Sequence, residues 1–233
     1  MSLSEDLHAE VRDIFKYEWT SRDGLVVPEP SDLKLGNDAV SFDRATILYA
    51  DLNGSTRLVD TMKWWFAAEV YKSYLHCAAR LVRNEGGVIT SYDGDRVMGV
   101  FIGASQTSDA ARCALKINYA VQSILNPALR AQYPKDDTVV RQVVGIDTSP
   151  IRAARTGVRG DNDLVWVGRA ANYAAKLTNI DAGEQTWITE AAYGRLNANS
   201  KFGGNPRVDM WSRFNWTEHD DSVIYGSSWA WSI

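Results

Sequence analysis

Two aspartates stand where a carboxylate can do chemistry. Asp51 follows the apolar run Arg44 to Ala50, and Asp95 lies in Asp93-Gly94-Asp95 between two further apolar runs. Hard cations such as Mg²⁺ or Mn²⁺ take oxygen ligands of this kind, usually one or two carboxylates with substrate phosphates completing the shell. Two turn aspartates satisfying their own backbone are the plainer alternative. Beside Asp51, Leu52-Asn53-Gly54-Ser55-Thr56 reads as a strand-to-helix turn whose free N–H groups could hold phosphate oxygens. It lacks the Gly-Lys-Ser or Gly-Lys-Thr ending of a Walker A loop, and helix capping by Ser55 or Thr56 is the alternative. Asn172 and Lys176, four apart in an alanine-rich run, share one helix face and could address one ligand. A solvated helix surface is the alternative there.

These groups matter only if the chain converges them. Arg44 to Ala50 is expected to form a buried strand that delivers Asp51 to a turn, followed by one long helix from Thr56 to Asn84. Val88 to Tyr92 and Val97 to Ile102 flank Asp93-Gly94-Asp95, the sequence of a tight hairpin, because Asp-Gly supplies positive φ. A helix from Ser105 to Leu129, a strand from Thr138 to Ile146, a helix from Ala170 to Ile180 and a strand from Gln185 to Ile188 follow. Ahead of them stand an amphipathic helix from Glu5 to Trp19, with Ser4 as N-cap, and a polar connector from Thr20 to Asp38. The order suits an α+β sandwich, one antiparallel or mixed sheet with helices on one face. The tail from Val208 to Ile233 holds four of the nine tryptophans and reads as a packed hairpin.

Composition bounds the function. The chain has 233 residues, enough to bury a sizeable core without disulfides. Its formal net charge of −4 argues against a nucleic-acid binder that relies on bulk positive charge. Cys77 and Cys113, the only cysteines, show no metal spacing, and a reducing compartment fits them. The longest apolar stretch, Val97 to Ala104, is far short of the roughly 18 to 20 residues of a membrane helix. A polar, acidic N-terminus gives no signal peptide. A cytoplasmic protein with no membrane or nucleic-acid partner is expected.

Taken in order, Leu48-Tyr49-Ala50-Asp51-Leu52-Asn53-Gly54-Ser55-Thr56, Gly94-Asp95-Arg96-Val97-Met98-Gly99-Val100-Phe101, Val143-Val144-Gly145-Ile146 and Gly168 to Leu177 resemble the catalytic domain of class III nucleotidyl cyclases. The resemblance spans about residues 44 to 195. It implies a ferredoxin-like α+β domain, a mostly antiparallel sheet covered by helices, working as a head-to-tail homodimer with its sites across the interface. Residues 1–36 would be an N-terminal helix and connector, and residues 37–233 the catalytic domain with a Trp-rich C-terminal extension. By the same resemblance Asp51, Asp95 and the Leu52 carbonyl hold two divalent cations, Mn²⁺ or Mg²⁺. Asn172 of the partner copy orients the ribose, and Lys176 stands where the family usually has a transition-state Arg, keeping the charge but not the planar fork.

Base choice departs from the purine cyclases. The positions where those enzymes carry Lys and Asp, or Glu and Cys, are Ser91 and Val165. Tyr49 replaces a frequent Phe and Arg96 a frequent Gly, so the pocket wall is bulkier and can form hydrogen bonds. The chain is therefore similar to the pyrimidine cyclases of bacterial Pycsar anti-phage systems. That similarity implies UTP or CTP as substrate, with Asn53, Gly54, Ser55 and Thr56 beside the phosphates. The cyclic product, cyclic UMP or cyclic CMP, would act on a separate effector without a stable complex. Arg152, Arg155 and Arg159 are further phosphate candidates, or solvated loop arginines. The rivals are an adenylate cyclase with atypical base recognition and a non-catalytic nucleotide-binding dimer domain. A diguanylate cyclase would need a Gly-Gly-Asp/Glu-Glu-Phe signature that is missing.

Overall fold

The computed structural model describes residues 2–233. In chain order its elements are α1 (Leu3–Lys16), β1 (Thr20–Asp23), β2 (Asp38–Asn53), α2 (Ser55–Thr61), α3 (Trp64–Asn84), β3 (Val88–Asp93), β4 (Arg96–Phe101), α4 (Gln106–Ala120), α5 (Asn126–Gln132), β5 (Arg141–Val158), β6 (Asp161–Val167), α6 (Arg169–Leu177), β7 (Thr186–Thr189), α7 (Glu190–Tyr193), α8 (Ala198–Lys201), β8 (Phe202–Gly203), β9 (Val208–Asp209), β10 (Ser212–Trp216) and β11 (Ser222–Ser227). They divide into two compact units, residues 1–44 with 150–168 and residues 45–149 with 169–233. Strands β2 and β5 contribute residues to both.

The smaller unit corrects three expectations. Its first helix starts earlier than the sequence suggests, because Ser2, not Ser4, caps it in a reciprocal box with Glu5. The connector is not plain loop: β1 pairs in parallel with Asp38 to Ser41 at the start of β2. The polar stretch after Pro150 is also not a loop, since β6 pairs antiparallel with Arg152 to Val158 of β5. The turn of this hairpin rests on Gly160 at φ +97°.

In the larger unit the sheet runs β10-β11-β7-β5-β2-β4-β3. The pairs β10–β11, β11–β7, β2–β4 and β4–β3 are antiparallel and β5–β7 is parallel, so the mixed, mostly antiparallel α+β expectation holds. Alternate residues of β2 split between its faces. Leu48, Ala50 and Leu52 enter the main core with Phe66, Val70, Tyr74 and Ala78 of α3 and the inner face of α4. The expected single long helix after Asp51 is broken into α2 and α3 at Met62-Lys63, and the one after Ser105 is interrupted by a π-helical turn at Val121–Leu125.

Helices cover both faces, not one. On β5, Val144 and Ile146 enter the core shared with α3 and α4, whereas Val143 joins Leu177 of α6 in a second cluster with Trp187, Trp216 and Ile224. Gly145 permits this second layer: a Cβ there would lie 2.1 Å from the Ala174 carbonyl oxygen. The tail forms the expected hairpin, and β11 completes the sheet against β7. Among the described residues no helix is long and apolar enough to cross a membrane. Both thiols are free, Cys113 being wholly buried.

Candidate active site

Tyr49 and Asp51 alternate with Leu48, Ala50 and Leu52, so they point away from the core under α3. Strand β4 pairs antiparallel with β2, with Tyr49 opposite Met98 and Ala50 opposite Val97. The paired register stops there, one residue before Asp51 and two residues short of Asp95, which precedes the neighbouring strand. Asp51 is thus the third residue from the end of β2, not a residue of a following turn, while Asp95 lies in the β3–β4 turn, whose Gly94 has φ +59°. Ser91 is opposite Met98, which puts Ser91, Met98 and Tyr49 on the same face of the sheet. Arg96 joins them: its guanidinium lies 5.2 Å from the Tyr49 ring centroid and binds Asp93 at 2.9 Å.

The electrostatics mark the pair of carboxylates. Burial, reinforced by the neighbouring Asp95 charge and opposed by Arg96, pushes Asp51 up to about 6. One carboxylate oxygen of Asp95 is buried with no hydrogen-bond partner. A buried carboxylate oxygen without a partner is costly, and a cation between the two aspartates relieves both conditions. No third acidic, His or Cys side chain completes a metal cluster among the described residues. Two carboxylates with a main-chain oxygen such as that of Leu52 suit a hard cation whose other ligands come from phosphate and water.

Gly54, in the left-handed region at φ +77°, is the N-cap of α2, and no side chain caps that helix. Ser55 and Thr56 are therefore its first helical residues and not its caps. Leu52, Asn53, Gly54 and Ser55 line a cleft of about 710 Å³ whose opposite wall is the segment Asp136 to Arg141. Arg57 and Arg141 bring two guanidinium groups to this cleft. Arg57 directly follows the turn singled out in the sequence, whereas Arg141 comes from a segment distant in the chain and was not legible there. Arg152, Arg155 and Arg159 belong to the smaller unit, where Arg155 is committed to Asn162 and to the Leu33 carbonyl.

Asn172 and Lys176 are both exposed on α6, while Ala170, Ala171, Ala174 and Leu177 are buried. The start of this helix is fixed to β5. Arg169 makes a two-pronged pair with the fully buried Asp147 at 3.0 and 3.1 Å, and the Ala170 N–H donates to the Ser149 hydroxyl at 3.0 Å. Within the chain, Asn172 and Lys176 form no hydrogen bond or ion pair with Asp51 or Asp95. Val165 stands exposed on β6, paired with Ala154 in the smaller unit. The larger unit thus brings together Tyr49, Asp51, Ser91, Asp95 and Arg96, but not Asn172, Lys176 or Val165.

No protein-family model matches the chain. It is 51% identical to a uridylate cyclase of Burkholderia cepacia, with all of both chains covered. It is 47% identical to a uridylate cyclase of Xanthomonas perforans, again over all of both chains. Among solved structures, the adenylyl cyclase CyaB from P. aeruginosa matches with TM-score 0.66 at 19% identity, covering 81% of this chain and 95% of that one. The guanylyl cyclase Cya2 matches with TM-score 0.67 at 18% identity, covering 81% and 93%. These structures share the fold, and the full-length relatives share the sequence: the chain belongs to the uridylate cyclase family.

Proposed function

We propose that the protein converts UTP to 3′,5′-cyclic UMP and pyrophosphate, in a head-to-tail homodimer whose two sites each draw on both copies. The observation that carries this reading is the Asp51–Asp95 pair, with its unpartnered buried oxygen, on the sheet edge that also presents Tyr49 and Arg96. Full-length relatives named uridylate cyclase support the choice of base.

Asp51, Asp95 and the Leu52 carbonyl would hold two divalent cations, Mn²⁺ or Mg²⁺. When bound, such ions lower the pKa of the ribose 3′-hydroxyl and neutralise the triphosphate. The chain's own residues do the rest. The Asn53-Gly54-Ser55-Thr56 turn, with Arg57 beside it and Arg141 on the opposite wall of the cleft, receives the triphosphate. Arg96, held by Asp93 and Tyr49, keeps a buried Nε–H without a partner, a donor for a pyrimidine carbonyl; Ser91 lies on the same face. Asn172 of a second copy orients the ribose, and Lys176 places a positive charge beside the pentavalent phosphorus. Val165 leaves the base edge without the carboxylate that reads a purine. The product serves as a second messenger for a separate effector in anti-phage defence.

The test is incubation with all four ribonucleoside triphosphates and Mn²⁺, products identified by mass spectrometry, beside Asp51→Ala. Cyclic UMP that vanishes in the variant is the expected result. Cyclic CMP or cyclic AMP as the sole product would overturn the base assignment, and product formation by Asp51→Ala would overturn the site.

A further inference from the structure

Helix α3 presents two phenol hydroxyls, three residues apart, to the backbone that carries the metal-binding groups. Tyr74 is wholly buried in the main core, yet its hydroxyl donates to the Asp51 carbonyl at 3.1 Å. Tyr71, partly buried one turn earlier, reaches the Ser55 carbonyl at 3.5 Å, the outer limit for such a bond. The two contacts bracket the five residues from Asp51 to Ser55. A core position that needed only volume would take Phe, since a buried hydroxyl is costly unless bonded.

The Asp51 carbonyl shares a rigid peptide plane with the Leu52 N–H. Holding the carbonyl therefore fixes the plane and with it the direction in which the chain continues through Leu52. The pairing of β2 with β4 ends at Ala50 opposite Val97, so that ladder does not hold Asp51.

We propose that Tyr74, assisted by Tyr71, is a positioning residue that sets the cation affinity of the site by clamping the Asp51–Leu52 peptide. This inference rests on the reading of Asp51 and Asp95 as cation ligands. It assigns to α3 a part in metal binding that no residue of the cleft supplies.

The experiment is Mn²⁺ titration of the nucleotide-free full chain, with free Mn²⁺ read by electron paramagnetic resonance. Tyr74→Phe, which keeps the ring, is expected to raise the Mn²⁺ Kd about threefold to tenfold, the effect of one net hydrogen bond. Tyr71→Phe, losing a longer bond, should raise it by about twofold. Tyr193→Phe removes a hydroxyl bonded to Asp209, away from the site, and should leave the Kd unchanged. The Mn²⁺ concentration for half-maximal cyclisation should rise in step for Tyr74→Phe, with kcat recovered at saturating Mn²⁺. Native Mn²⁺ affinity in Tyr74→Phe, with binding lost in Asp51→Ala, overturns the clamp and leaves the metal site standing. Native affinity in Asp51→Ala refutes the metal site, and the clamp with it. Should Tyr74→Phe fail to fold, unchanged affinity in Tyr71→Phe overturns the proposal.

Discussion

The guanidinium of Arg96 lies over the ring of Tyr49. With Asp93 holding the same guanidinium from the neighbouring strand, the Arg is fixed by two contacts before any substrate arrives, so little side-chain entropy is lost when it meets a base. Arg96→Ala is expected to lower kcat/KM for UTP by about tenfold to a hundredfold, the scale of one lost hydrogen bond to a charged group. Steady-state kinetics with UTP and CTP check this. An unchanged ratio for both would remove Arg96 from base recognition.

Asp51 is raised from 3.8 to about 6 by burial and then by Asp95. The proton it retains on folding stabilises the metal-free protein below about pH 4, and that contribution is lost as pH rises through about 6. At pH 7.5 the ionised, partly solvated carboxylate then costs about 1 to 2 kcal/mol after solvent screening. Asp51→Asn, which carries no charge, should melt higher than the native chain at pH 7.5 without metal, and should lose cyclase activity. Mn²⁺ should raise the melting temperature of the native chain and not of the variant. Calorimetry with and without Mn²⁺ measures both.

The composite-site arrangement predicts complementation. Asp51→Ala and Asn172→Ala are each expected to be inactive alone, and their mixture to regain up to about a quarter to a half of native activity through one intact site per mixed dimer. Product assays on co-expressed chains decide it, and no recovery would place both halves in one copy.

Gly145 is where α6 touches the sheet. Because a Cβ would meet the Ala174 carbonyl at 2.1 Å, Gly145→Ala must push away the helix that carries Asn172 and Lys176. A loss of about 1 to 3 kcal/mol of stability is expected, with kcat reduced more than KM. Urea unfolding and kinetics report on the two effects separately.

Glu85, with a side chain only 7% exposed, joins Arg112 at 3.1 Å and Lys116 at 2.7 Å and so ties the end of α3 to α4. Although burial opposes its ionisation, Lys116 and Arg112 hold Glu85 below its ordinary 4.5. Its contribution is therefore present above about pH 4.5 and lost as pH falls through the lower folded-state value. Glu85→Gln should cost about 2 kcal/mol at pH 7 and progressively less in acid, as urea unfolding across pH 3 to 7 would show.

Some of this was written in local sequence. An apolar run before Asp51 and an Asp-Gly turn ending in Asp95 specify a strand and a hairpin through short-range rules; Asp95 lies in that turn, and Asp51 lies within the end of its strand instead of in the turn after it. The four ordered motifs carried the family in the same way. Other features depend on neighbours remote in the chain. The pairing of β6 with β5, the closure of the Asp136 to Arg141 segment over the turn after Asp51, and the seating of α6 on the second face were decided by tertiary contact. Tyr74 shows the difference most plainly. At its place in the helical pattern it is one more apolar core residue, and only folding α3 against β2 brings its hydroxyl to the Asp51 carbonyl. Hydrophobic periodicity says which face is buried, whereas the partner of a buried polar atom is fixed by the packing itself.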